Sequence, residues 1–237
     1  MNIPEIQVIY EDNHLLVINK PAQLATMGAR AGEPTAAAWA AEYLKQRYQK
    51  PGNVFVGVVS RLDSFVTGVL VLARTSKAAK RLTEQFRDRQ TSKLYYACVE
   101  GQLGEPVWRT LSAHIAKNDA AHRMMIVPAK SADAQLATLQ FRTLISAKTC
   151  SLLEIDLGTG RKHQIRLQLS DLGHPILGDS KYGATSKFPN GIALHACKLT
   201  LEHPTLRQPM SFVAPLPAAW KSLPNEFLKK AQDSTSL

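Results

Sequence analysis

Two short apolar runs open the chain, at residues 6–10 and 15–18, with Glu11-Asp12-Asn13 between them and Lys20-Pro21 after. Apolar and β-branched stretches broken by turn formers predict a β-hairpin. Residues 35–48 are Ala-rich, with Trp39, Tyr43 and Leu44 at helical intervals and Pro34 and Pro51 as boundaries, which predicts a helix. The apolar run Val54-Phe-Val-Gly-Val-Val59 predicts a buried strand, and Gly68-Val-Leu-Val-Leu-Ala-Arg74 a second. Thr75 or Ser76 is suited to cap another helix running to about Arg89, with Ala79, Leu82 and Phe86 on one side.

Further along, residues 94–99, 137–145 and 150–157 read as strands through their β-branched and aromatic content. A short helix is expected over 163–172, ended by Gly173 in a left-handed cap with Pro175 just beyond. Strand patterns return at 192–201 and, weakly, at 210–213, and a polar tail follows over 229–237. Residues 104–135 are polar and weakly periodic, open to two readings, an inserted hairpin or a mobile loop. Many strands, few helices and no internal repeat predict one α+β domain over residues 1–228, on a largely antiparallel mixed β-sheet with flanking helices. With only a few residues ahead of the first hairpin, no appended N-terminal domain is expected.

Charge narrows the function. The 237-residue chain carries 29 Lys plus Arg against 19 Asp plus Glu, a formal charge of +10, which makes nucleic acid the first partner to consider. Residues 74–93 concentrate the excess, with Arg74, Lys77, Lys80, Arg81, Arg87, Arg89 and Lys93 against Glu84 and Asp88, a stripe suited to phosphate contacts. Cys98, Cys150 and Cys197 are odd in number, far apart and each in an apolar run, as expected of buried thiols in a reducing compartment. Metal-ligand spacings of the Cys-x-x-Cys or His-Glu-x-x-His kind do not occur, and His195-x-Cys197 lies in an alternating strand. No leader with a basic start and apolar core opens the chain, and no run approaches the length of a membrane span. A cytoplasmic monomer with no metal and no membrane partner is the expectation.

Two segments carry chemistry. Asp63 ends Arg61-Leu-Asp63, between the two predicted strands. An aspartate there either forms a turn and pairs with Arg61 or another cation, or acts as nucleophile or base in a cleft. The other segment is Gly158-Thr-Gly-Arg-Lys-His-Gln-Ile-Arg166, which sets three cations, a histidine and an amide donor between a strand and a helix start, where free backbone amides favour an anion. Helical spacing places His163, Arg166 and Ser170 near one face and Ile165, Leu169 and Leu172 on another.

These segments belong to an ordered set that resembles the RluA family of pseudouridine synthases. The set comprises Ile9-Tyr-Glu-Asp-Asn-His-Leu-Leu-Val-Ile-Asn-Lys-Pro21, Arg61-Leu-Asp63 with Thr67-Gly68, and Lys93-Leu-Tyr-Tyr-Ala97 to Gly101. It continues with Thr159-Gly-Arg-Lys-His-Gln-Ile-Arg166, Gly173-His-Pro-Ile-Leu-Gly-Asp-Ser-Lys-Tyr-Gly183 and Leu194-His-Ala196. The resemblance implies the pseudouridine synthase fold with a central cleft, no N-terminal S4-type RNA-binding domain, and isomerisation of uridine in RNA, ribosomal RNA ahead of transfer RNA. No cofactor is needed, because nothing is oxidised and no group is transferred between molecules.

By the same resemblance Asp63 is the catalytic aspartate, Arg166 its charge partner and Tyr95 the aromatic that lies against the target base. Arg61 helps fill the space of an extruded nucleotide, and Arg161, His163, Gln164 and Ile165 contact substrate, Ile165 as an apolar wall. Departures cluster around Asp63: the family's His-Arg-Leu-Asp-x-x-Thr-Ser-Gly, commonly with a cation after Asp, meets Ser60, Ser64, Phe65, Val66 and Thr67 here. Gln23 likewise stands where the family has Gly. Two other readings stay open: an RNA-binding protein that keeps the fold without catalysis, and a glycoside hydrolase, which would require a second carboxylate across a cleft.

Overall fold

The computed structural model describes residues 5–30, 32–104 and 106–235. In chain order the described elements are β1 (Gln7–Glu11), β2 (Leu15–Lys20), α1 (Ala36–Arg47), β3 (Gly57–Val58), β4 (Thr67–Ala73) and α2 (Ser76–Arg87). They continue with β5 (Ser92–Glu100), β6 (Arg109–Asn118), β7 (Arg123–Ile126), β8 (Gln135–Ser146), β9 (Cys150–Asp156) and α3 (Gln164–Asp171). The last are β10 (Leu194–Glu202), β11 (Pro209–Val213) and α4 (Asn225–Thr235), with short 3-10 helices at Ser180–Tyr182 and Ala218–Ser222. This is an α+β protein with largely antiparallel strands, as the pattern predicts. The chain divides into two compact units: Met1–Ser92 with Ala196–Pro217, and Lys93–His195 with Ala218–Leu237.

In the first unit the expected hairpin closes at Asp12, whose Oδ1 accepts the amides of His14 and Leu15 at 2.7 Å each. The strand order β1-β2-β4-β10 puts β4 in the interior, and all seven of its residues are buried, which accounts for its unbroken apolar run. Gly68 is required there: its φ is +117°, and a Cβ would stand 2.2 Å from the carbonyl oxygen of Ala196. Thr35 and Thr75 cap α1 and α2 by accepting the amides of Ala38 and Ala78. Ala78 and Leu82 of α2 pack on Leu15, Val17, Val69 and Val71, and Ala79 and Phe86 pack partly buried beside them. A buried amide adds to this, since Gln85 donates to and accepts from the backbone of Glu202 at 2.9 and 3.0 Å.

The apolar run at 54–59 is a correction. Only Gly57 and Val58 form a strand, paired to the end of β4, and Phe55 is exposed. β4 already has β2 alongside it and its interior position meets the demand for burial, so the run becomes a short edge leading into the Asp63 turn. Part of the basic stripe is also tied down: Arg74 bridges Glu11 at 3.0 Å beneath the Tyr48 ring, Arg81 donates to the Pro204 carbonyl, and Arg87 pairs with Asp88. Lys77, Lys80 and Arg89 remain exposed.

The second unit orders its strands β5-β9-β8-β6-β7, every pair antiparallel. Of the two readings of 104–135 the hairpin is correct: β6 and β7 pair from Asn118↔Arg123 to Ile115↔Ile126. Ile115, Met124 and Ala137 on one face of that sheet pack with Leu167 and Tyr182. The polar tail is largely the second half of α4, which buries Phe227 and Ala231 and receives the Tyr96 hydroxyl on the Ala231 carbonyl at 2.8 Å. Its last two residues, 236 and 237, and residues 1–4 lie outside the described residues. The three cysteines are buried free thiols, and no described helix is long and apolar enough to cross a membrane.

Candidate active site

The Asp63 turn is built from its anchors. Leu62 and Val66 are buried on either side of it, and the amide of Val66 bonds the Asp63 carbonyl at 3.1 Å, closing a one-turn bend. Thr26, itself buried, clips Leu62 from both directions: its hydroxyl donates to the Leu62 carbonyl at 2.9 Å and accepts the Leu62 amide at 3.1 Å. Lys20, 0 % exposed at the end of β2, donates to the carbonyls of Pro21 and Leu24 at 2.8 Å and of Ser64 at 3.3 Å. The aspartate is thus half-buried on a loop whose backbone is held at both neighbours, while Arg61 stands exposed. Neither Thr26 nor Lys20 was singled out from the sequence. The signal for Lys20 was a lysine two residues after the apolar run 15–18, where a cation on a core strand must find acceptors or expel its strand from the core.

Burial pushes the Lys20 ammonium down to about 7, and the charge of Asp63 acts against that shift. A folded-state value below the ordinary 10.5 means that burial penalises the protonated form in the native state. The penalty is full below about pH 7 and fades as the pH rises towards 10.5. Lys20→Met removes the titration and leaves three carbonyls without a donor, at a cost of about 3 kcal/mol. Urea denaturation at several pH values should show this loss, with the wild type gaining on the variant between pH 7 and 10; parallel pH profiles would rule out Lys20 as the titrating group.

In the second unit the segment after β9 is fastened to β8. The Thr159 hydroxyl accepts the Thr138 amide at 2.9 Å and donates to Gln164 Oε1 at 2.7 Å, and the same Oε1 accepts the Arg161 amide at 3.1 Å. Gln164, expected to contact substrate, uses its carbonyl oxygen to organise this loop, and its amide nitrogen is buried. His163 precedes α3 in the left-handed region, φ 53°, so it lies outside the helix on which spacing had put it. Its Nδ1 meets the Tyr182 hydroxyl at 2.8 Å, and that hydroxyl also accepts the Met124 amide. The two-faced pattern expected for α3 gives way to near-complete burial, with every residue from Gln164 to Leu169 inside. Arg161 is exposed and its Nε donates to the Leu136 carbonyl.

Arg166 is the electrostatic centre of this unit. Its Nε and one terminal nitrogen donate to the two oxygens of Asp179 at 2.6 and 2.7 Å, and its guanidinium lies 5.0 Å from the Tyr182 ring centroid. Cation and carboxylate are 4 % and 1 % exposed, so each requires the other. Asp179 was missed as a site residue, although it stands in the Gly-Asp-Ser-Lys-Tyr-Gly stretch. Tyr95 and Ile165 are buried, Tyr95 on the face of β5 opposite to Tyr96. Among the described residues no cluster of three or more His, Cys, Asp or Glu is disposed to hold a metal ion.

Residues 14–171, most of the chain, match the family model described as RNA pseudouridylate synthase. The chain belongs to this synthase family. The synthase is 37 % identical over 224 residues to the uncharacterized RNA pseudouridine synthase YhcT of Bacillus subtilis, covering 92 % of this chain and 71 % of that one. It is 30 % identical over 223 residues to the ribosomal large subunit pseudouridine synthase D of Zymomonas mobilis, covering 90 % and 69 %. Its fold matches the human RNA pseudouridylate synthase domain containing 4, with a TM-score of 0.70 at 27 % identity over 94 % of this chain and 92 % of that one. The resemblance to the RluA family is therefore correct, and with it the class of reaction: the synthase is an isomerase acting on RNA.

Proposed function

We propose that the synthase isomerises uridine in ribosomal RNA, with Asp63 as its catalytic carboxylate. The observation that carries this reading is the clamp on Asp63, whose two backbone neighbours are held by Thr26 and Lys20 while the carboxylate stays half-buried. A fixed backbone under a reactive group lowers the entropy lost on reaching the transition state. In the reaction the bond from C1′ to N1 breaks, the uracil turns over, C5 bonds to C1′, C5 gives up its proton and N1 gains one. The target must leave its stack, at a cost on the order of a few kcal/mol.

By resemblance, Arg166 keeps the catalytic carboxylate ionised and Tyr95 stacks on the target base. The buried Asp179 supports the first role by fixing the guanidinium plane. Arg61 fills the vacated stack, Arg161 and His163 contact RNA, and Ile165 gives an apolar wall. Ribosomal RNA is favoured because the Zymomonas relative bears that name. The free buried thiols support a cytoplasmic setting, and the protein acts as a monomer.

The experiment is incubation with ribosomal and transfer RNA fractions carrying tritium at uridine C5. Release from the ribosomal fraction is expected. Release only from transfer RNA would overturn the choice of substrate, and none from any RNA would overturn the reaction.

A further inference from the structure

Phe65 lies two residues beyond Asp63, 45 % exposed, in a turn whose apolar anchors are already supplied by Leu62 and Val66. Packing therefore does not call for an aromatic at this position. Among the described residues its ring has no aromatic or cationic stacking partner. The turn that carries it is rigid at the backbone, because Lys20 holds the Ser64 carbonyl and Val66 bonds back to Asp63. A second exposed apolar side chain, Met27 at 50 %, follows Thr26, the residue hydrogen-bonded to Leu62, so the two stand on segments joined at one point. On the other side of Asp63 stands the exposed cation Arg61.

Cation, carboxylate and aromatic alternate along five residues. An exposed ring beside a cation, in a chain of charge +10, suits a strand that offers bases and phosphates together. Two residues of chain span at most about 7 Å. That is the scale of a nucleotide step, about 3.4 Å when stacked and longer when a base is drawn out. A ring at that distance from the reacting uridine reaches its neighbour in the strand.

We propose that Phe65 is a stacking platform for an unpaired base next to the target uridine, and that it sets the preference of this synthase for unstacked RNA around its target. The inference rests on the synthase reading above and adds to it a specificity-determining residue two positions beyond Asp63, in the variable part of the motif.

The test uses full-length protein and fluorescein-labelled oligouridylate, with Phe65→Ala, Phe65→Tyr and Phe65→Trp made in wild type and in Asp63→Asn. Affinity is expected to fall roughly 10-fold for Phe65→Ala and to stay within about twofold for the aromatic variants. The salt dependence of binding should be the same in all, since no phosphate contact is removed. Oligouridylate should change the tryptophan emission of Phe65→Trp beyond the change seen in wild type. For tritium release, Phe65→Ala should raise KM with kcat little changed.

Equal affinity of Phe65→Ala and wild type would overturn the proposal and leave the ring to a protein partner. So would a smaller salt slope, or an equal loss in the aromatic variants, which would indicate a damaged turn. If wild type releases no tritium while Phe65→Ala still binds weakly, the synthase reading fails and the stacking role survives. If release is normal and binding is unaffected by Phe65→Ala, only the stacking role fails.

Discussion

Asp63→Asn is expected to lower tritium release by about 10⁴-fold or more, the scale on which removal of a reacting group acts. The substitution keeps size and shape and removes charge. Because the turn is held through the backbone by Thr26 and Lys20, thermal stability and oligouridylate affinity should remain near wild type. Removing the Asp63 charge also removes the influence that opposes burial at Lys20, so the pH window of stability assigned to Lys20 should move further down. Activity within tenfold of wild type would dismiss Asp63 as the catalytic carboxylate. A large drop in melting temperature would instead mark it as a turn former, the other role open to an aspartate there.

Asp179→Ala is expected to destabilise the protein by about 3–5 kcal/mol, because it leaves the guanidinium of Arg166 buried without its bidentate partner. Arg166→Met should cost a similar amount by stranding the carboxylate. The double variant Arg166→Met/Asp179→Leu removes both charges and should recover much of that loss, as apolar replacements of buried ion pairs often do. Tritium release separates stability from chemistry. If Arg166 keeps the catalytic carboxylate ionised, the double variant is stable and inactive. Activity restored together with stability would reduce Arg166 to a structural cation, and urea midpoints beside release rates decide it.

The local elements were legible because their causes are local. Thr35 and Thr75 each accept an amide three residues on, Gly173 adopts the left-handed conformation, and the uninterrupted apolar run of β4 matches a strand buried on both faces. The caps and the left-handed glycine depend on no distant residue, and the apolar run of β4 records its burial without naming the neighbours that provide it. Family membership was legible for a different reason: ordered short stretches specify a fold together, although Arg-Leu-Asp alone specifies little.

What could not be read concerns partners. The run at 54–59 looks like a core strand, yet edge position makes it two residues of pairing with Phe55 in solvent. Residues 104–135 lack a strong period because most of β6 and β7 is exposed or half-buried: only the adjacent Ile115 and Ala116 of β6 and Met124 of β7 are buried, so few positions are held to an apolar alternation. The polar residues after Lys229 form half of an amphipathic helix whose fully buried side chains are Phe227 and Ala231 among a polar majority. Composition registers that majority and not the face.

The candidate site divides along the same line. The family resemblance of ordered sequence stretches named Asp63, Arg166 and Tyr95 as candidates, since a family's chemistry travels with side chains and their order. Three-dimensional contacts alone revealed that Lys20 and Thr26 hold the Asp63 turn, that Asp179 holds Arg166, and that Gln164 holds Thr159, which ties the loop to β8. Each of these partnerships joins residues from five to 44 positions apart, and Lys20 in particular bonds to main-chain carbonyls, which every residue possesses and no sequence pattern marks.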